Sequence, residues 1–188
     1  MSDSALLNTD VRQQLDEAVT VQPLSRLTDI VKHVLQDGLR TGALEIPDSL
    51  RQPRTDTYAR RLLYRDPQGR YSMVVMTWGP GQKTALHDHA GIWCVECVMD
   101  GTMEVAQYDL LSEQDGEFRF AQQNCIQAGR GAAGCLIPPF EYHTLGNLSD
   151  SPSVTLHVYG GDMTHCHVFE PQPDGAWRRM RKELSFHS

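Results

Sequence analysis

No apolar run in this 188-residue chain approaches the ~18 residues that a membrane-spanning helix needs, so no membrane span is expected. The first residues, MSDSALLNTDVRQQ, lack the basic patch and following apolar core of an export signal, and a cytoplasmic location is expected. Positive charge is also short. Seventeen Lys and Arg face 24 Asp and Glu, for a net charge of −7. That balance argues against nucleic acid as a partner, because binding there rests on neutralising phosphates. Internal repeats and low-complexity stretches are absent. Cysteine is sparse and odd in number: Cys94, Cys97, Cys125, Cys135 and Cys166. An odd count without an export signal fits a reducing compartment rather than a disulfide framework. Only Cys94 and Cys97 form a C-x-x-C pair, and on a strand positions three apart face opposite ways, which disfavours a zinc or redox pair. Most of these cysteines read as small buried apolar side chains.

The length suits one domain, residues 1–188, and 40% apolar with 22% charged residues is ordinary for a globular protein. From Asp10 to about Leu44 the pattern is helical. Leu24, Leu27, Ile30, Val31, Val34, Leu35 and Leu39 recur at three- and four-residue steps and make one apolar stripe. Pro23 and Ser25 suit a helix start; Gly38 and Gly42 suit its end. Segment 47–57 holds two prolines and reads as a connection. Short strands follow: YARRLLYRD and RYSMVVMTW around the turn DPQG, then IWCVECVM, TMEVAQYDL, EFRFAQQ, CLIPP, HTLGN, SVTLHVYG and CHVFEP. Many short strands at even spacing indicate a mainly β sandwich or barrel. The expected organisation is a short helical N-terminal part, residues 1–46, packed on a β-barrel with a C-terminal tail, residues 57–188.

Within LHDHAGIWC, His87 and His89 are two apart, so on a strand both imidazoles project to one face. Imidazole is the commonest side-chain ligand of transition metals, although H-x-H pairs also occur on solvent-facing strands. The surroundings add weight. Five residues separate Gly81 from His87, four separate His89 from Cys94, and six separate Cys94 from Gly101. A third histidine, His143, lies in PPFEYHTLGN, with Asn147 four positions on. This spacing resembles the two-part signature of the cupin superfamily, with two departures. Cys94 stands where an acidic ligand is usual, and Phe140 replaces the glycine of the second motif. Three neutral histidines with no anionic protein ligand would leave a divalent ion its full charge, suited to an anionic donor such as a thiolate. The set would also hold Zn2+, so iron does not follow from the ligands alone.

With Cys94 in that place, the chain resembles the thiol dioxygenases of the cupin superfamily, most closely the cysteine dioxygenases, from about Tyr58 to the C-terminus. YARRLL, WGPGQKTALHDH, SVTLHVYG, THCHVFEP and the terminal LSFHS carry the likeness. The resemblance implies a cupin-type jelly-roll β-barrel and one Fe2+ per chain, held by His87, His89 and His143, with no organic cofactor. It also implies L-cysteine and O2 as substrates, cysteine sulfinic acid as product, and a monomer. Arg60 matches the arginine that holds the substrate carboxylate, with Tyr58 on the same strand face. Tyr159 would place its hydroxyl near the substrate, oriented by His157, and Thr155 would support that histidine. Cys94 matches the cysteine that forms a thioether with this tyrosine in animal members. Independently, Thr155, His157 and Tyr159 alternate with Val154, Leu156 and Val158, so the polar three share a face. Arg61 and Arg65 read as surface residues. A branch acting on 3-mercaptopropionate carries Gln at the place of Arg60 and an extra arginine beyond the tyrosine. Neither is found here, which favours cysteine. The alternatives are another small-thiol dioxygenase and a non-enzymatic cupin that binds a ligand or metal.

Overall fold

The computed structural model describes residues 7–188; residues 1–6, which open the expected helical part, lie outside the described residues. The expected helical stretch is two helices. In α1, Thr9–Ala18, the Asn8 side chain accepts the Asp10 N–H at 2.8 Å and so satisfies a free donor of the first turn. Val11, Leu15 and Ala18 are its buried face. Pro23, which has no N–H to give, sits at the N-cap of α2, Leu24–Thr41. Leu27, Val31, Val34, Leu35 and Leu39 are buried along α2 in the expected stripe, and Gly42 ends the helix at φ 77°. Gly38 does not end it. It lies inside the last turns, where a Cβ would come within 2.9 Å of Leu44 Cβ, so its bareness lets the chain fold back over the helix. No helix among the described residues is long and apolar enough to cross a membrane.

Eleven strands follow: β1 Ala59–Arg65, β2 Ser72–Trp78, β3 Leu86–His87, β4 Cys94–Asp100, β5 Thr102–Gln114, β6 Glu117–Gly129, β7 Ala133–Leu136, β8 His143–Gly146, β9 Ser153–Tyr159, β10 His165–Pro171 and β11 Trp177–Glu183. They form a five-stranded sheet, β1-β2-β9-β4-β7, and a second sheet, β10-β11-β6-β5-β8-β3, that closes on itself through β3 and β10. All the pairings between named strands are antiparallel. β5 and β6 run longer than expected and meet at Asp115–Gly116, both at positive φ, the backbone of a tight hairpin turn. β11 was not expected at all. Its sequence, WRRMRKE, is mostly exposed and has no apolar alternation; it exists because its backbone pairs with β10 along its whole length.

The five-stranded sheet separates two cores. Met73, Val75, Val95, Cys97, Val154, Leu156 and Val158 face α1 and α2. Val74, Met76, Trp78, Cys94, Val98 and Tyr159 face the barrel interior. Every residue of β9 is buried for this reason, polar ones included. Arg61 points to the helical side rather than to solvent. It is buried, and Nη1 donates to the carbonyls of Gln52 and Leu50 at 2.8 and 3.4 Å, tying down the proline-rich connection. Arg65 is half exposed and pairs with Asp162, as expected of a surface residue.

Candidate metal centre

The histidines arrive from two elements and a turn. His87 ends β3 directly opposite His143 on β8. His89 has already left the strand, which is only two residues long, because Ala90 and Gly91 turn the chain at positive φ. Asp88 pins that turn. Its Oδ1 accepts the N–H of Ala90 at 3.0 Å and of His167 at 2.8 Å, while Oδ2 lies 2.9 Å from His167 Nδ1. The three imidazoles nevertheless converge, with ring centroids 4.5–5.3 Å apart. One ring nitrogen from each lies within 4.8 Å of the others, and the Nε2 atoms of His87 and His143 are 3.1 Å apart.

The residues fit a divalent ion. Burial pushes His87 down to about 3 and His89 to about 4, and holds His143 well below the ordinary imidazole range. The site therefore presents neutral imidazoles, the form that ligates. The far nitrogen of each ring faces an oxygen: His87 Nδ1 the carbonyl of Ala85 at 3.0 Å, His89 Nδ1 the Glu141 carboxyl at 3.7 Å, and His143 Nδ1 the Glu96 carboxyl at 3.8 Å. This places Nε2 of each ring toward a common point, and outer oxygens of this kind orient imidazole ligands.

Two carboxyls that the sequence reading did not consider stand behind the histidines. Glu96 and Glu141 are both buried, and burial pushes their carboxyls up to about 8 and about 7. A cation on the imidazoles would draw both back toward the carboxylate form. Sequence reading passed over both, yet the signal was present. Glu96 lies two residues beyond Cys94 on β4, in phase with it, and Glu141 lies two residues before His143, just ahead of β8.

A small cavity joins the histidines to the expected substrate residues. Tyr58, Arg60, His87, His89, His143, His157, Tyr159 and Cys166 all line it. Arg60 is only 4% exposed, yet no carboxylate among the described residues lies within ion-pair distance of it. Its Nη groups make only long contacts, 3.3 and 3.4 Å, to the carbonyls of Met163 and Ser185, and its Cζ lies 6.0 Å from the Tyr159 ring centroid. The C-terminal tail is stitched to the same strand: the His187 N–H donates to the Arg60 carbonyl at 2.7 Å, and His187 Nδ1 accepts the Arg60 N–H at 3.0 Å.

On β9 the polar three share one face as expected. Trp78 Nε1 donates to Thr155 Oγ1 at 2.9 Å, Thr155 Oγ1 lies 2.8 Å from His157 Nε2, and the His157 ring stacks against Tyr159 at 5.9 Å. Cys94 of β4 stands directly opposite Tyr159 of β9 in the pairing register. Burial pushes the Tyr159 hydroxyl and the Cys94 thiol well above their ordinary values. All five cysteines are free. Of the motif residues outside the histidine cluster, Asn147 joins the halves: its side chain donates to the carbonyls of Trp78 and Ser151, and its carbonyl accepts the Gly81 N–H. Gly101, at φ 77°, permits the β4–β5 turn, where a Cβ would sit 3.0 Å from Ser153 Cα. Phe140 is 81% exposed and takes no part in the cavity.

The family described as cysteine dioxygenase type I matches residues 52–172. Cysteine dioxygenase type 1 of Rattus norvegicus is 22% identical over 132 residues, covering 70% of this chain and 63% of that protein. The Homo sapiens protein of the same name is 21% identical with the same coverage. This chain thus spans less than two thirds of the length of these curated relatives. Among solved structures, an uncharacterized conserved protein with a double-stranded β-helix domain from Klebsiella pneumoniae superposes with a TM-score of 0.50 at 18% identity, over 64% of this chain and 91% of that one. The likeness concerns the fold, which is the mainly β cupin barrel expected from the sequence.

Proposed function

The chain belongs to the cysteine dioxygenase type I family, and from that premise we propose that it is a non-haem iron thiol dioxygenase that converts L-cysteine and O2 to cysteine sulfinic acid. One observation carries the reading: a buried guanidinium without an acidic partner among the described residues opens onto the same cavity as three neutral, convergent imidazoles. That pairing matches a small substrate with a carboxylate at one end and a thiol at the other.

His87, His89 and His143 would hold the Fe2+, which when bound supplies the redox chemistry joining dioxygen to sulfur. The rest is done by this chain. Arg60 exchanges its long carbonyl contacts for a charge-assisted bond to the substrate carboxylate. Tyr58, whose ring packs on Trp78 at 4.5 Å, walls the cavity on the same side. The Tyr159 hydroxyl, a phenol protonated at neutral pH and pushed further up by burial, can donate to the oxidised sulfur. His157 and Thr155 keep the Tyr159 ring in place. Both oxygen atoms of O2 go to the thiol sulfur, RSH + O2 giving RSO2H, and no further reductant is needed. Cys94 and Tyr159, opposed on β4 and β9, would join through a thioether. The thiol and ring hydrogens leave with dioxygen as acceptor, and the bond limits the rotamers of Tyr159.

The test is metal analysis of the purified protein together with oxygen uptake and sulfinate production on L-cysteine. Bound Fe2+ with one sulfinate per O2 consumed is expected. Metal binding without oxygen uptake on any small thiol would overturn the reading in favour of a non-enzymatic cupin.

A further inference from the structure

Glu96 is buried on β4, and no Lys or Arg among the described residues lies within ion-pair distance of it. Its two oxygens divide between two rings: Oε1 lies 3.8 Å from His143 Nδ1 and Oε2 lies 3.6 Å from His157 Nδ1. Glu96 Oε2 and His143 Nδ1 have no hydrogen-bond partner among the described residues, a costly condition for buried polar atoms. Each gap exceeds a hydrogen bond by only about half an ångström.

One arrangement of protons satisfies the surrounding donors. Trp78 Nε1–H can only donate, so Thr155 Oγ1 accepts from it and keeps its own hydrogen to give. When that hydrogen goes to His157 Nε2, 2.8 Å away, a neutral His157 carries its hydrogen on Nδ1, which faces Glu96 and has Cys94 Sγ, 3.9 Å away, as its other neighbour. His143 turns Nε2 toward His87, so a metal on that face leaves its hydrogen on Nδ1, again facing Glu96. In this arrangement two N–H groups converge on one carboxyl.

We propose that Glu96 is a positioning residue of the metal centre. Its carboxylate receives the Nδ1–H of His143 and of His157, so one side chain orients a metal ligand and the histidine that backs Tyr159. The inference rests on the three-histidine metal reading above and deepens it. In the cupin-like motif an acid is usual at the place of Cys94, where it would ligate directly. Here the acid is two residues further along the same strand face, and it acts through an imidazole instead.

The test is competition of metal-free protein against a chelator for Co2+, with wild type, Glu96→Gln and Glu96→Asp compared. Glu96→Gln keeps the shape but offers one acceptor oxygen for two donors. It should bind Co2+ 10- to 100-fold more weakly, as for other lost outer partners of ligand histidines, while the metal-free thermal midpoint holds. Glu96→Asp, which restores a carboxylate, should recover part of the loss. A second arm needs no variant. Two-bond 1H–15N correlation spectra of zinc-loaded wild type should show both His143 and His157 as Nδ1–H tautomers. Cobalt affinity within threefold of wild type in Glu96→Gln, or His157 carrying its hydrogen on Nε2, would overturn the inference and leave the metal reading intact. Wild type that binds neither ion would overturn the metal reading, and this inference with it.

Discussion

Replacing Arg60 with Gln tests the substrate reading most directly. Arg60 is 4% exposed and has no acidic partner within ion-pair distance among the described residues; its guanidinium holds two carbonyl contacts at 3.3 and 3.4 Å, near the outer limit of a hydrogen bond, and lies 5.1 and 6.0 Å from the ring centroids of Phe186 and Tyr159. Folding should lose little from the change: the two long carbonyl contacts and the ring contacts are worth ~1 kcal/mol net once the gain from removing a buried charge with no acidic partner among the described residues is set against them. The thermal midpoint should therefore stay within about 4 °C of wild type or rise. Binding should lose much more. Removing one partner of a desolvated charge pair costs ~2–5 kcal/mol, and at ~1.4 kcal/mol per decade that is a roughly 30- to several-thousand-fold fall in kcat/KM for L-cysteine. Cysteamine provides the control, since it keeps the thiol and amine and lacks the carboxylate. Its kcat/KM should change by less than ~5-fold, so the preference for L-cysteine collapses. Oxygen uptake with both thiols, beside thermal melts, measures all three quantities. L-cysteine kinetics within threefold of wild type, or an equal loss on cysteamine, would falsify the assignment of Arg60 to the carboxylate.

His87→Ala should abolish iron retention and sulfinate formation while the far-ultraviolet circular dichroism of the barrel is unchanged; full activity in a metal-free preparation would contradict the site. Cys94→Gly should keep iron and lower activity without abolishing it. Wild type after aerobic turnover should contain a species two hydrogens lighter, with Cys94 and Tyr159 joined on peptide mapping. A free Cys94 thiol after many turnovers would rule the bond out. Metal-free protein should be most stable near pH 6.5. Below that value the unfolded chain protonates imidazoles that the fold holds neutral, with His87 near 3, His89 near 4, and His143 and His157 also lowered by burial. Those groups stabilise above their unfolded pKa and the effect is lost as pH falls. Glu96 and Glu141 act in the opposite sense: they stay protonated in the fold up to about 8 and about 7, so their contribution is full below their unfolded value of 4.5 and is lost as pH rises from there, and above pH 6.5 this loss outweighs the fading effect of the imidazoles. Each group contributes up to ~1.4 kcal/mol per pH unit, and denaturant midpoints from pH 5 to 8.5 should pass through a maximum. A monotonic profile would count against the burial of these six groups.

The parts legible in the sequence were those with a period or a fixed spacing. The α2 stripe, the turn DPQG, and the offsets among Gly81, His87, His89, Cys94 and His143 all express local geometry, and the three histidines do converge. The phase of SVTLHVY also held, with Thr155, His157 and Tyr159 on the interior side. What escaped depends on partners distant in the chain. β11 has an exposed, charged sequence and is a strand because β10 lies beside it. Arg61 looked like surface until the carbonyls of residues 50 and 52 were placed over it. Gly38 matched a helix end, but the close approach of Leu44 accounts for it. Glu96 was in phase with Cys94 all along. A buried acid is visible only once its neighbours are known, because a glutamate on a strand is ordinarily solvated.

The pairing of β4 with β9 shows why the helices belong to the functional account. On one face Cys94 opposes Tyr159, Glu96 opposes His157 and Val98 opposes Thr155. On the other, Val95 opposes Val158 and Cys97 opposes Leu156, and these four pack under α1 and α2. A slip of one residue would turn every side chain of a strand to the opposite face, burying Glu96 against leucines and swinging Tyr159 out of the cavity. Both faces of β9 are buried, so they differ in polarity rather than in exposure: a slip would set Thr155 and His157 against Val31, Leu35 and their neighbours without partners, at ~1–3 kcal/mol for each unsatisfied group. No residue of α1 or α2 lines the cavity, yet the helical layer helps fix which residue of β4 meets Tyr159, and thereby which acid lies beside His143 and His157.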